Sequence, residues 1–156
     1  MKRYLVHRAS GLDWAKAELL SDFSFPWEER EPSPTEFRAH SNATALHFRF
    51  DCVDEDLVLG DGADDSEKVM GSDRVEIFLS PDPSLRPYYG LEMDPRGAVL
   101  AYQARYHRQF DWDWKCEGLT LDTSIEGNRY QVTGSIPLST LLALGVLKPD
   151  SKAFLA

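Results

Sequence analysis

The chain has 156 residues, of which 42% are hydrophobic and 12% aromatic, and its formal net charge is −9. This composition indicates a globular protein with a real core rather than a disordered chain. The acidic charge argues against nucleic acid and anionic membranes as partners, because both bind basic surfaces.

The N-terminal part of the chain has weak periodicity. Residues 3–7 predict a short strand, and residues 10–20 are compatible with a brief helix capped at Ser10 or Asp13. Residues 25–37 contain three prolines and therefore predict a loop.

A clear period of two begins in the stretch TALHFRFDCVDE, residues 44–55, which predicts a strand. The acidic, glycine-containing residues 54–68 predict a long loop, and residues 74–80 predict another strand that ends at two prolines. The apolar side chains expected on one face of the first strand are those of Leu46, Phe48, Phe50 and Cys52.

The remaining pattern consists of hairpins. Residues 88–94 and 98–106 predict two strands joined by a turn, and residues 119–137 predict two strands around a Gly-Asn turn. Residues 138–147 follow a proline and predict a short helix or turn. Strands at regular spacing with short helices only at the margins indicate an all-β protein, an antiparallel β-sandwich forming a single domain over 1–156.

The strand in SDRVEIFLSP, residues 72–81, carries charged residues among its apolar ones. Alternation places these charges on one face, which neighbouring strands would continue and which also carries the aromatic residues Phe78 and Tyr88. This pattern is typical either of a solvated face with ion pairs or of a sugar site, where hydroxyls need polar partners and sugar rings need aromatic faces. The polar residues predicted on this face are Arg49, Arg74, Glu76, Glu92, Gln103 and Arg105.

Several stretches together resemble the carbohydrate-binding module family 9-like domains, in particular their stand-alone bacterial branch. They are GSDRVEIFLSPD, YYGLEMDPRGAVL and YQVTGSIPLSTL, preceded by ATALHFRFDCVDED, and the resemblance covers about residues 35–147. It implies a jelly-roll-like β-sandwich that binds a carbohydrate without catalysis, a link to xylan or cellulose breakdown, and often a structural calcium. In this resemblance Glu76 falls on a glutamate that hydrogen-bonds a sugar.

The chain departs from the xylanase-appended members of that family at two positions. Met70 stands where they have a stacking tryptophan, and Glu92 where they have a sugar-binding arginine. Trp112 and Trp114 could replace the stacking platform, although either could instead be buried as core. The residues predicted to bind the oligo- or polysaccharide are Arg74, Glu76, Tyr88, Glu92, Arg105, Trp112 and Trp114.

Many carboxylates occur between residues 51 and 67. An oxygen-rich loop can bind Ca²⁺, but this one lacks the spacing of an EF-hand, so a metal-free charged loop is the other interpretation. If calcium is bound, we expect Asp54 and Asp73 to be among its ligands.

Two other functions stay open from the sequence. Glu76 and Glu92 on adjacent strands could lie about 5–6 Å apart, as the acids of a retaining glycoside hydrolase do. A protein-interaction domain without a small ligand is the second alternative.

The sequence also bears on cellular location. No segment has the apolar length of a signal peptide or a membrane span, which predicts a cytoplasmic protein as written, or a secreted or periplasmic one if a signal was removed. The two cysteines, Cys52 and Cys116, are expected to be buried free thiols, with a disulfide as the alternative.

Overall fold

The computed structural model describes residues 4–25, 27–105 and 109–148. Residues 3, 26 and 106, which belong to predicted elements, lie outside these ranges, as do both ends of the predicted single domain. In chain order the strands are β1 (His7–Arg8), β2 (Thr35–Ser41), β3 (Ala45–Val53), β4 (Val75–Leu79), β5 (Tyr88–Met93), β6 (Val99–Arg105), β7 (Gln109–Asp111), β8 (Thr120–Glu126) and β9 (Arg129–Pro137). The helices are a 3₁₀-helix (Trp14–Lys16), α1 (Asp65–Met70) and α2 (Leu138–Ala143).

The strands form two sheets. A larger sheet has the order β1-β2-β3-β9-β8, and a smaller sheet has the order β4-β5-β6-β7. All pairings are antiparallel except that of β1 with β2. The predicted all-β sandwich with short marginal helices is confirmed.

The core lies between the two sheets because each contributes an apolar face to it. In β3 every second residue is buried, as the period of two predicts. Side chains of both sheets, and of α2, make up this core. Its fully buried members include Phe48, Leu91, Met93, Ile136 and Leu141.

Two strands and one helix were not predicted. β2 begins at Thr35, inside the predicted loop, and β7 lies in a stretch without a predicted element. α1 lies at the end of the other predicted loop, where the Asp64 carboxylate caps it by accepting a hydrogen bond from the Glu67 amide at 2.9 Å.

The N-terminal segment covers part of the outer side of the larger sheet. Its predicted helix is a single 3₁₀ turn capped by Asp13. The Trp14 ring contacts the buried His40 ring at 4.9 Å, and His40 stacks on His47 at 5.3 Å. Both ring nitrogens of His40 are buried without a hydrogen-bond partner among the described residues.

Cys52 and Cys116 are buried free thiols, as expected from the sequence. Burial raises the pKa of both, that of Cys116 to about 11. Neither thiol therefore carries appreciable thiolate at neutral pH.

Candidate functional site

The solvent side of the smaller sheet, which we call the outer face, gathers the charged residues of β4 and β5. Glu76 is paired directly with Glu92 across the two strands, and Phe78 with Gly90. Leu91, which precedes Glu92 on β5, points into the core. Adjacent residues of a strand point to opposite sides, so Glu92 points away from the core. The outer face comprises Arg74, Glu76, Phe78, Tyr88, Gly90, Glu92, Leu100, Tyr102, Ala104, Phe110 and Trp112.

Arg74 bridges the two carboxylates. Its Nε lies 3.0 Å from Glu76 Oε1 and 2.7 Å from Glu92 Oε2. The Glu76 side chain is 35% exposed and that of Glu92 only 11%, so Glu76 is the carboxylate that a solute can reach. The structure thus brings together three of the predicted binding residues.

Glu92 is also the partner of Tyr102, which sequence reasoning missed. The Tyr102 ring lies over Gly90, where a Cβ atom would fall 2.4 Å from Tyr102 Cζ. Burial of the Glu92 carboxyl raises its pKa and Glu76 raises it further, whereas Arg74 and the Tyr102 hydroxyl act in the opposite direction. Burial, and then Glu92, raise the pKa of Tyr102, so its hydroxyl stays protonated and donates to the carboxylate.

Aromatic rings continue the outer face beyond Tyr102. The Trp112 ring stacks on Phe110 with centroids 4.6 Å apart and meets the edge of Tyr102 at 5.1 Å. Trp112 is 52% exposed and Phe78 46%. Tyr88 lies between Phe78 and Tyr102, with 6.4 Å between centroids on each side. The face therefore offers ring surface to solvent next to its ion pairs.

Helix α1 covers one side of this face. The buried Val69 packs with Leu100, Tyr102 and Ala104. Met70, at the end of the helix, is 63% exposed. Arg74 Nη1 donates to the Val69 carbonyl at 3.4 Å, which ties the charged residues to the helix.

Two predicted binding residues do not lie on the outer face. β6 pairs Leu100 with Glu92, so the alternate residues that end at Arg105 point to the opposite side of the sheet. The predicted position of Arg105 was wrong because the polar residues of β6 were expected to point outward. Helix α1 and Trp112 cover the outer side of β6, so the residues on that side are apolar, like those of a core face. Gln103, also predicted on the outer face, points to the same opposite side as Arg105. Arg49, predicted there too, lies on β3 in the larger sheet.

Trp114 is the second misplaced residue. A turn follows β7. The carboxylate of Asp111, the last residue of β7, accepts a hydrogen bond from the Asp113 amide at 3.1 Å. Trp112 and Trp114 therefore do not lie on one extended strand. Trp114 contacts Tyr89 at 5.0 Å and packs against the core, as the sequence allowed for one of the two.

The two predicted calcium ligands serve the loop between β3 and β4. Asp73 Oδ2 accepts the Val58 amide at 2.6 Å, and Asp54 Oδ1 accepts the Asp56 amide at 3.0 Å. Across the described parts of the chain, no group of three or more His, Cys, Asp or Glu side chains is placed to hold a metal ion. Asp54 and Asp73 fall short of the six to eight oxygens that Ca²⁺ takes, and a calcium site stays a prediction.

The described residues contain no helix long and apolar enough to cross a membrane. A comparison with curated proteins finds no match. A comparison with family models matches residues 12–154 to the family described as "Carbohydrate family 9 binding domain-like".

Solved structures of similar fold exist. A candidate carbohydrate-binding protein from Bacteroides uniformis ATCC 8492 superposes with a TM-score of 0.72 at 18% identity, covering 93% of this chain and 77% of that one. A family 9 carbohydrate-binding module from Caldicellulosiruptor kristjanssonii superposes with a TM-score of 0.53 in its glucose complex, at 18% identity and with 88% and 70% coverage. Its cellotriose complex gives the same TM-score at 19% identity, with 88% and 68% coverage. The sandwich fold is thus shared with these structures, and by the match to nearly its whole length the chain belongs to the carbohydrate family 9 binding domain-like family.

Proposed function

We propose that the protein binds an oligo- or polysaccharide on the outer face without cleaving it. The observation that carries this proposal is the juxtaposition, on one sheet face, of the Arg74–Glu76–Glu92 ion cluster with the exposed rings of Phe78 and Trp112. Sugar hydroxyls need fixed polar partners and the C–H face of a pyranose packs on an aromatic ring, so this face provides both kinds of contact.

Roles follow from position and exposure. Glu76 and Arg74 would bond sugar hydroxyls, while Glu92, mostly covered by Tyr102, would hold Arg74 in place. Trp112 would provide the main stacking surface, with Tyr88 and Phe78 at its side. Membership of the family supports sugar as the ligand class.

We further propose β-1,4-linked glucose or xylose polymers, such as cellulose and xylan, as the source of the ligand. The glucose and cellotriose complexes of the Caldicellulosiruptor module support this choice. A neutral polymer also suits the chain's charge of −9, which would repel a polyanion.

Calorimetric titration with cellotriose and xylotriose, with and without Ca²⁺, tests the proposal. We expect Trp112→Ala to weaken binding about 5- to 10-fold, since a stacked ring is lost. Trp27→Ala is the matched control, because Trp27 is 79% exposed in a loop before β2. Unchanged affinity in Trp112→Ala would remove Trp112 from the site, and no binding of either sugar would favour a protein-interaction domain.

The glycoside hydrolase alternative has two supporting observations, the direct pairing of Glu76 with Glu92 and the raised pKa of Glu92. Against it, Arg74 Nε lies within 3.0 Å of both carboxylates, where an attacked sugar carbon would have to be. Release of reducing sugar from cellotriose that disappears in Glu76→Gln would establish the enzyme.

A further inference from the structure

We propose that the outer face prefers a cationic amino sugar to a neutral sugar and rejects uronic acids, with Glu76 as the residue that sets this preference. The inference rests on the proposed carbohydrate-binding function and adds to the neutral polymers named there a charged sugar class that the same face would hold more tightly. It depends on the charge balance of the face, on the exposure of Glu76 and on the spacing of Glu76 from an aromatic ring.

The ion cluster of the outer face has one cation for two anions. Arg74 Nε carries a single hydrogen, yet it lies 3.0 Å from a Glu76 oxygen and 2.7 Å from a Glu92 oxygen. Among the residues that define the outer face, Arg74 is the only cationic side chain. Arg105 points to the other side of the sheet, and Lys115 Nζ donates to the Trp112 carbonyl at 3.3 Å, at the aromatic end rather than in the ion cluster. The cluster therefore carries one uncompensated negative charge when both glutamates are ionised.

That uncompensated charge is available to a ligand at Glu76 rather than at Glu92. Glu92 is nearly buried and also accepts from the Tyr102 hydroxyl. Glu76 is about three times as exposed, and its Oε2 receives no hydrogen bond from the described residues. An ammonium group that approaches from solvent can thus pair with Glu76 Oε2 without displacing Arg74.

The spacing of the strand suits a sugar ring. Glu76 and Phe78 are two residues apart on β4 and share a face, so their side chains are about 6–7 Å apart. A pyranose ring on the Phe78 side chain would place an equatorial substituent beside Glu76. The exposed aromatic surface adds to the attraction, because cations also interact favourably with ring faces.

A uronic acid has the opposite charge and gains none of these contacts. Its carboxylate would approach Glu76, and the cation of the ion cluster, Arg74, is already engaged by two glutamates. The net charge of −9 adds a long-range repulsion that low salt strengthens.

The experiment compares four trisaccharides by calorimetry at about pH 6, where an amine keeps its proton. Three share a β-1,4-linked glucose skeleton and differ at C2: cellotriose has a hydroxyl, the glucosamine trimer an ammonium and the N-acetylglucosamine trimer a neutral amide. The fourth is trigalacturonate. Each titration is run in about 20 mM and about 0.5 M NaCl, because salt screens an exposed ion pair.

We expect the glucosamine trimer to bind about 3- to 10-fold more tightly than cellotriose at low salt, as a partly exposed ion pair allows. The preference should shrink at high salt, and trigalacturonate should not bind. Glu76→Gln, which keeps the shape of the side chain but removes its charge, should lower the affinity for the glucosamine trimer more than that for cellotriose and so abolish the preference. Glu126→Gln, an exposed glutamate on β8 in the other sheet, should leave the preference unchanged.

Equal affinity for the glucosamine trimer and cellotriose would overturn this inference and leave the proposed function standing. A preference that persists in Glu76→Gln would also overturn it. If none of the neutral or cationic trimers binds, the proposed function fails together with the inference.

Discussion

Gly90 determines where the Tyr102 ring lies, and the ring in turn shapes the outer face. Because Gly90 has no side chain, Tyr102 crosses over β5 and its hydroxyl reaches Glu92. The ring also supports Trp112, whose centroid is 5.1 Å away. One small residue thus positions both the polar and the aromatic part of the proposed site.

We expect Gly90→Ala to lower the free energy of unfolding by about 1–3 kcal/mol, because the added methyl group would overlap the ring and force it away. It should also weaken sugar binding, since the Tyr102–Glu92 hydrogen bond would be lost. Urea unfolding and cellotriose titration measure the two effects. Gly11→Ala is the control, with nothing within 4 Å of the new Cβ atom; equal stabilities of the two variants would contradict the prediction.

Helix α1 is held to the smaller sheet by few side chains. It has six residues, and Val69 is the only one that is buried. Val69 packs with Leu100 and Tyr102 of β6. Val69 is thus the buried apolar contact of the helix, beside two hydrogen bonds that its carbonyls accept: Lys68 from Ser72 Oγ at 2.7 Å and Val69 from Arg74 Nη1 at 3.4 Å.

We expect Val69→Ala to cost about 2 kcal/mol of unfolding free energy, from lost burial and from the cavity left behind. The amides of α1 should exchange faster with solvent before global unfolding, because the helix would separate locally. Val58→Ala, at an exposed position in the preceding loop, should change stability by less than about 0.5 kcal/mol. The idea fails if the amides of α1 in Val69→Ala stay as protected as those of the parent protein.

Period-two alternation was enough to predict the strands that carry long apolar patterns, such as β3 and β9. It could not reveal β2, whose start follows Pro34, or β7, which has only three residues. α1 is too short for a helical period to appear, although the Asp64 and Glu67 spacing is a capping signal that could have been used.

One buried histidine, His40, and one half-buried histidine, His47, make the stability of the whole molecule depend on pH. Burial lowers the pKa of His40 below its usual value. The pKa of His47 is also lowered, mainly by burial and to a smaller extent by the nearby His40. The unfolded chain therefore binds protons that the folded chain does not. The Asp13 carboxylate raises the pKa of His40 and so opposes the effect of burial. In the smaller sheet, the raised pKa of Glu92 affects stability at a lower pH than the histidines do.

We expect the melting temperature to be maintained above about pH 6.5 and to fall as the pH drops from there toward 5.5. His40→Leu should reduce this dependence, because the buried ring no longer resists protonation, while the exposed His7→Gln should leave it unchanged. Thermal unfolding followed by circular dichroism at several pH values measures both. A parent protein equally stable across this range would contradict the expectation.

At the scale of the whole molecule, sheet membership limited what the sequence could predict. The hairpin of β4 and β5 places Glu76 against Glu92 locally, so this part of the site was predictable. β3 instead pairs with β9, far along the chain, and alternation within a strand carries no information on such pairing. Arg49 was therefore assigned to the wrong sheet. The Tyr102 contact was missed for another reason, since the residues of β6 that end at Arg105 were expected on the side where Leu100 and Tyr102 lie.

The two shielded sulfhydryls have a practical consequence for following this protein in solution. Both are buried and protonated at neutral pH, so a maleimide dye would react with them slowly. A Met70→Cys substitution would place a reactive thiol at the exposed end of α1, next to Val69, whose carbonyl accepts from Arg74. A single fluorophore could then report the arrival of a saccharide without prior removal of the native cysteines.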